Sequence, residues 1–284
     1  MSRPLRIQIP GGLYHVTSRG NRKEPIFKSD DDHYHFLRIF AKTIERFQWA
    51  CYSYCLMDNH FHLLIETHLA NLAQGMRYLK STYSMSFNRV HQMVGHLFQG
   101  RYNAVMIEKQ AHLLEVSRYI PLNPVRAGIC AMPEEYRWSS YRATIGLEPV
   151  PAFLKIQPLL DQFGPPLAQA RESFRAFVNE KEVTCPWDRI KNRLYLGSDE
   201  FIEQIHQESI DEEIPAVQRL ATRPSLDMLL PTDQGLLNAY IQYGYTMKQI
   251  AQHAGVHYKT ISRRIHSIEA GVRSGKGTMS ECQT

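Results

Sequence analysis

The chain has 284 residues, room for about two domains at roughly 150 residues each. Hydrophobic residues make up 43% and charged residues 21%, which excludes wholesale disorder and a fibrous repeat and leaves a folded, core-forming protein. The net charge of +5 is unevenly placed: residues 1–145 carry 18 Lys and Arg against 11 Asp and Glu, residues 146–230 carry 9 against 14, and residues 231–284 carry 6 against 3. Two basic segments around an acidic one point to a polyanionic partner, nucleic acid first among them.

Leu13 to Ser18, a β-branched and aromatic run after Gly11-Gly12, predicts a strand. Asp30, Asp31 and Asp32 offer N-caps for a helix to about Phe47, with Phe36, Leu37, Phe40, Ile44 and Phe47 at spacings of three and four. Residues 50–57 and 61–66 predict two strands joined by a tight Asp58-Asn59 turn. Leu72, Met76, Leu79, Tyr83 and Phe87 mark a helix over 69–90, residues 102–108 return to strand, and a helix over 110–120 has Leu113, Leu114 and Val116 for its buried side. The order predicts an α+β domain: a ferredoxin-like antiparallel sheet with helices on one face and the other free for a ligand. From Pro149 to Pro166 prolines punctuate a linker with short helices, 171–182 and 198–213 look helical and acidic, and the polar stretch from Ser274 to Thr284 reads as a tail. The expected divisions are therefore 1–145, 146–230 and 231–284.

The five cysteines are odd in number and scattered, and no basic-then-apolar leader opens the sequence, so a reduced cytoplasmic protein without disulfides is expected. Apolar runs fall far short of the roughly 18 residues of a membrane span, so no membrane partner is expected.

His60-Phe61-His62 is the sharpest chemical feature. Strand side chains alternate, so His60 and His62 share one face while Phe61, Leu63 and Ile65 point into the core. Two neutral imidazoles side by side make half of a divalent-metal site. A zinc site from Cys51, Cys55, His60 and His62 fits poorly, because all four would crowd one hairpin turn; the cysteines read as buried strand residues. Some sixty residues on, Tyr119-Ile-Pro-Leu-Asn123-Pro-Val-Arg126-Ala-Gly128 sets a tyrosine and an amide four apart at a predicted helix end, on neighbouring turns of one face. Pro121, between them, removes a helix hydrogen bond and predicts a kink there.

Together with Gly12-Leu13-Tyr14-His15-Val16, Arg19-Gly20-Asn21, Met57-Asp58-Asn59-His60-Phe61-His62, Phe98-Gln99-Gly100-Arg101-Tyr102 and Trp138-Ser139-Ser140-Tyr141, these blocks resemble the HUH tyrosine transposases, and within them the REP-associated tyrosine transposases, over about residues 5–145. The resemblance implies metal-dependent cleavage and rejoining of single-stranded DNA at hairpins. Tyr119 would be the nucleophile, with His60, His62 and Asn123 ligating Mg²⁺ or Mn²⁺. Arg19, Arg101 and Arg126 lie in matching blocks and suit phosphate contacts.

Thr246 to Ile265 has the outline of a helix-turn-helix. Ile250, Ala251 and Val256 are expected to pack against Ile261 and Ile265, with Gly255 at the turn; Tyr258, Lys259, Thr260, Arg263 and Arg264 are left for duplex or structured DNA. A catalytically silent DNA-binding regulator and an HUH replication initiator or relaxase are the competing readings. Monomer and homodimer both stay open.

Overall fold

The computed structural model describes residues 7–180, 185–208, 224–241, 245 and 247–275. Among these, 7–201 and 207–208 fall in one compact unit and 202–206 with 224–275 in a second.

The first unit opens with β1 (Gly12–Arg19), α1 (Asp30–Phe47), β2 (Trp49–Met57), β3 (His60–Thr67), α2 (Leu72–Val90), β4 (Asn103–Ile107) and α3 (Lys109–Tyr119), in the expected order and close to the expected bounds. Helix α1 starts at the first of the three aspartates, and its cap lies one residue before them. Ser29 is its N-cap, its hydroxyl accepting from the Asp32 amide at 3.3 Å while the Asp32 carboxylate accepts from the Ser29 amide at 3.1 Å. Strands β2, β3, β1 and β4 lie side by side in that order, each antiparallel to its neighbours. Helices α1 and α2 pack on one another and cover one sheet face, where Phe61 of β3 meets Phe36 of α1 at 5.0 Å between ring centroids and Phe36 meets Tyr83 of α2 at 5.1 Å.

Two features depart from the expected sheet. It is mixed and five-stranded, because β5 (Tyr195–Leu196) adds parallel to β4, with Met106 and Glu108 amides donating to the Leu194 and Leu196 carbonyls at 2.7 and 2.8 Å. Two residues are too few to carry an alternation signal. The face opposite α1 and α2 is also covered. Beyond α3 come α4 (Asn123–Arg126), α5 (Tyr141–Thr144), α6 (Gln157–Leu160) and α7 (Leu167–Val178). Tyr141, Leu160, Ala170, Phe174 and Val178 form a core there that takes in Leu114 of α3. The stretch after Pro149 is thus packed structure on α3, and the compact unit continues past residue 145 to 201. The Trp138–Tyr141 block closes the β2 edge: Leu56 donates to the Trp138 carbonyl at 2.8 Å and Ser140 to the Tyr54 carbonyl at 2.9 Å. Cys51 and Cys55 are fully buried and free, burial raising both thiol pKa values.

The division between units falls within α8 (Asp199–Glu208); residues 209–213 of the expected helix, like 181–182 of the one before, lie outside the described residues. The second unit holds α9 (Leu226–Leu229), α10 (Asp233–Ile241), α11 (Met247–His253) and α12 (Tyr258–Gly275). Ile250 and Ala251 of α11 and Ile261 and Ile265 of α12 are buried with Leu226, Leu236, Leu237 and Ala239. Gly255 turns the chain at φ +66, a left-handed conformation suited to glycine. Val256 departs from expectation: it is exposed, because it sits on the turn beyond the helix face. Thr246 and residues 276–284 lie outside the described residues.

Candidate active site

β3 begins at the Asp58-Asn59 turn, so His60 and His62 stand at its first and third positions on the face away from α1. His60 is half-buried; His62 is buried at 7% exposure, not on an open sheet face as expected from sequence. Their rings lie 5.0 Å apart between centroids. The His60 Nδ1–H donates to the Asn59 side-chain carbonyl at 2.7 Å, since that oxygen accepts only, and this leaves Nε2 with its lone pair. His62 Nδ1 hydrogen-bonds His15 Nε2 at 2.9 Å, and His62 Nε2 is buried with no hydrogen-bond partner. With the His62 Nδ1–H as donor in that pair, both His60 and His62 offer an Nε2 lone pair on the same face.

The electrostatics keep these rings neutral. Burial holds His62 well below its ordinary 6.5, with His15 and His60 nearby adding to the effect. Burial takes His15 down to about 3 and lowers His60, to which the Arg19 charge adds. Neutral imidazole is the ligating form.

Tyr119 ends α3, and its ring centroid is 6.3 Å from those of both His62 and His15. The helix stops there as Pro121 requires, and α4 restarts at Asn123. Tyr119 and Asn123 are therefore not one turn apart on a continuous helix. Instead the Asn123 amide nitrogen donates to the Tyr119 and Ile120 carbonyls, both at 3.0 Å. This uses the NH₂ group to cap the broken helix and does not engage the side-chain carbonyl oxygen. Among the described residues no group of three His, Cys, Asp or Glu is arranged to hold a metal, while the buried, unpartnered His62 Nε2 is chemically suited to a ligand's role.

Arg126 of α4 stands over the Tyr119 ring, guanidinium carbon to centroid 4.4 Å. Arg19 is exposed at the end of β1, in register with His60. Arg101 is exposed and lines another groove of about 490 Å³ with Arg77, Lys80 and His96. In the second unit Tyr258, Lys259, Thr260, Arg263 and Arg264 are all exposed at the start of α12, and Arg264 pairs with Asp233 at 2.6 Å.

Two members of the site carried no assigned role in the sequence reading. His15 lies in the Gly12–Val16 segment of β1, and its alternation with Val16 puts it on the histidine face. Trp187, in a 3-10 turn (Pro186–Arg189) of the acidic middle region, stacks on His15 at 4.4 Å and meets Tyr119 edge-on at 5.0 Å. No local pattern marks a tryptophan so far along the chain.

No curated protein matches the sequence. Among solved structures, the chain is similar to a REP-associated tyrosine transposase solved with a REP hairpin, at 19% identity over 55% of this chain and 93% of that one, with a TM-score of 0.44. No helix among the described residues is long and apolar enough to cross a membrane. Residues 9–123, which hold β1, the histidine pair and the tyrosine, match the family model of IS200-like transposases; that segment is accordingly an IS200-like transposase domain, of a family of single-stranded DNA nucleases.

Proposed function

We propose that this domain cuts and rejoins single-stranded DNA beside a hairpin through a covalent 5′-phosphotyrosine link at Tyr119. The observation that carries the reading is the meeting of Tyr119 with His62 and His15 at 6.3 Å within one chain, although they come from three separate elements. In the proposed step the phenolic oxygen of Tyr119 attacks the scissile phosphorus, its proton passes to solvent, and the phosphorus–O3′ bond breaks. The departing O3′ takes a proton to become a free hydroxyl. The tyrosyl phosphodiester keeps the energy of the broken bond, so a 3′-hydroxyl can reverse the attack and join strands without a nucleotide cofactor.

His60, His62 and the Asn123 carbonyl oxygen would hold the divalent metal, Mg²⁺ or Mn²⁺, which when bound polarises the scissile phosphate. The imidazoles are kept neutral by burial, and Asn59 and His15 fix their orientation. Arg126 and Arg19 flank Tyr119 and His60 and would receive the DNA phosphates there; Arg101 would meet the strand further off. In the second unit α11 and α12 would act as a helix-turn-helix that grips duplex DNA through Tyr258, Lys259, Thr260, Arg263 and Arg264. Residues 1–145 thus take the cutting role and 231–284 the gripping role, with 146–230 between them.

A labelled hairpin oligonucleotide with a single-stranded foot, incubated with the protein and Mg²⁺ or Mn²⁺, should yield a covalent protein–DNA band on a denaturing gel. Tyr119→Phe should abolish the band, while His60→Ala and His62→Ala should lose cleavage and keep hairpin binding. Hairpin binding with no adduct under any metal would make the chain a silent DNA-binding regulator. An undiminished adduct from Tyr119→Phe would remove Tyr119 as the nucleophile.

A further inference from the structure

We infer that Trp187 is a positioning residue for the nucleophile: the Pro186–Arg189 turn braces the Tyr119 ring against the histidine face. The inference rests on the reading of Tyr119 as nucleophile and assigns a task to a segment outside the matched residues 9–123.

Tyr119 is the last residue of a helix that Pro121 ends, so no following turn of α3 holds its side chain. Its ring is instead confined by neighbours from other elements. Trp187 closes on it at 5.0 Å and 80° between planes, and the Arg126 guanidinium stands over it at 4.4 Å. Trp187 is itself fixed, lying parallel to the His15 ring at 4.4 Å and 14°. His15 in turn hydrogen-bonds His62 at 2.9 Å. One indole therefore touches both the proposed nucleophile and the ring that orients a proposed ligand.

The turn that presents Trp187 is anchored on both sides. Arg189, two residues on, pairs with Glu115 of α3, about one helical turn before Tyr119. The Lys191 amide donates to the Tyr195 carbonyl at 2.8 Å, and Tyr195 belongs to β5, which pairs with β4. Pro186 is buried and fixes the entry to the turn. The turn thus spans from the sheet to the helix that carries Tyr119, with the indole at the only place along it where an aromatic ring meets that tyrosine.

Attack on phosphorus requires the phenolic oxygen in line with the leaving oxygen, and a displacement of about 1 Å costs on the order of a hundredfold in rate. A tyrosine at a helix end with one wall removed samples other rotamers. The loss should then appear in the step after DNA binding and not in the binding itself.

The full-length protein is tested with the hairpin oligonucleotide and Mg²⁺ as wild type, Trp187→Ala, Trp187→Leu, Trp187→Phe and Tyr119→Phe. Single-turnover adduct formation is followed at saturating DNA, and affinity is measured separately by anisotropy with metal chelated. Trp187→Ala and Trp187→Leu should slow adduct formation at saturation by about tenfold or more with affinity within about twofold, and Trp187→Phe should restore most of the rate. Adduct formation by Ala and Leu at the wild-type rate overturns the inference. So does a loss of affinity with an unchanged saturating rate, which would make Trp187 a base-stacking residue. A Phe variant as slow as Leu also overturns it, and because both fill the site with apolar volume that comparison decides even if Trp187→Ala melts early. An adduct from Tyr119→Phe would defeat the nucleophile reading instead, whereas a silent Tyr119→Phe beside wild-type rates in the Trp187 variants defeats this inference alone.

Discussion

As a proposed metal ligand, His62 would depend on a neighbouring residue that is not itself proposed as a ligand. The hydrogen bond that its Nδ1–H donates to His15 Nε2 fixes its ring, and groups behind a metal ligand typically contribute 10–100-fold in metal affinity. His15→Phe keeps an aromatic ring to stack on Trp187 and removes that bond. Mn²⁺ titrated by calorimetry into the variant should bind at least about tenfold more weakly; equal affinity would show that the bond does nothing for the site. A second histidine gives the pH dependence of the fold itself. His33 lies between Phe27 and Trp138, at 4.4 and 4.1 Å, and donates Nδ1–H to the Ser29 carbonyl at 2.9 Å, while Nε2 is buried without a partner. Burial sets its pKa below the ordinary 6.5, against weaker pulls upward from Ser29 and nearby aspartates. As pH falls below about 6.5 the unfolded chain therefore takes up the proton first, and the stability that neutral His33 gives, complete above that pH, is lost through the window beneath it. Urea unfolding at pH 7.5 and 5.5 should show a smaller difference for His33→Phe than for wild type; identical differences would assign the acid sensitivity elsewhere.

At the scale of elements, what could be read in the sequence is what repeats. Phe36, Phe40 and Ile44 of α1 and Met76, Leu79 and Tyr83 of α2 recur at helical spacing and are all buried, and the alternation through β3 placed His60 and His62 on one face. Side-chain caps and two-residue strands have no period: three adjacent aspartates concealed the Ser29 cap, and β5 left no trace. Pro121 did report the end of α3, but the return of the Asn123 amide onto the helix depends on how the chain resumes after the break. Contacts between layers are equally silent in a local reading. Gly75, in the first half of α2, has no signal of its own, yet a Cβ there would run into the indole of Trp49 at the start of β2. Trp49 is buried and held by a hydrogen bond from its Nε1–H to the Asn71 side-chain oxygen at 2.8 Å, so the ring cannot swing aside freely. Gly75→Ala gains about 1 kcal/mol in helix propensity but overpacks this contact at a cost of about 1–3 kcal/mol. The expected result is a variant less stable than wild type by up to about 2 kcal/mol. A variant as stable as wild type in denaturant unfolding would show that α2 shifts to make room.

Across the whole molecule the charge pattern acquires two different meanings. The acidic surplus of 146–230 is partly matched within the first unit: Glu180 meets Arg118 beside Tyr119 at 2.7 Å, Glu148 meets Arg142, and Asp199 meets Lys191 at 2.6 Å. Two of those three bases belong to the preceding segment, so acid and base there serve packing on α3 as well as surface charge. The basic surplus of 231–284 is arranged otherwise. Lys259 and Arg263 stand exposed on the first turns of α12, whose opposite face buries Ile261 and Ile265, while Arg264 is tied to Asp233. If this unit grips DNA, each side chain that meets a phosphate releases a counterion and steepens the dependence of affinity on salt by about 0.9 in log–log slope. Lys259→Ala and Arg263→Ala should each weaken duplex or hairpin binding and flatten that slope by about 1. The saturating rate of adduct formation, set by the histidine and tyrosine site, should stay at the wild-type value in both. Anisotropy titrations from about 50 to 200 mM salt cover the range in which several phosphate contacts change affinity by orders of magnitude. An unchanged slope in both variants would take α12 out of DNA binding, and a fall in the saturating rate would mean instead that its bases act at the cutting step.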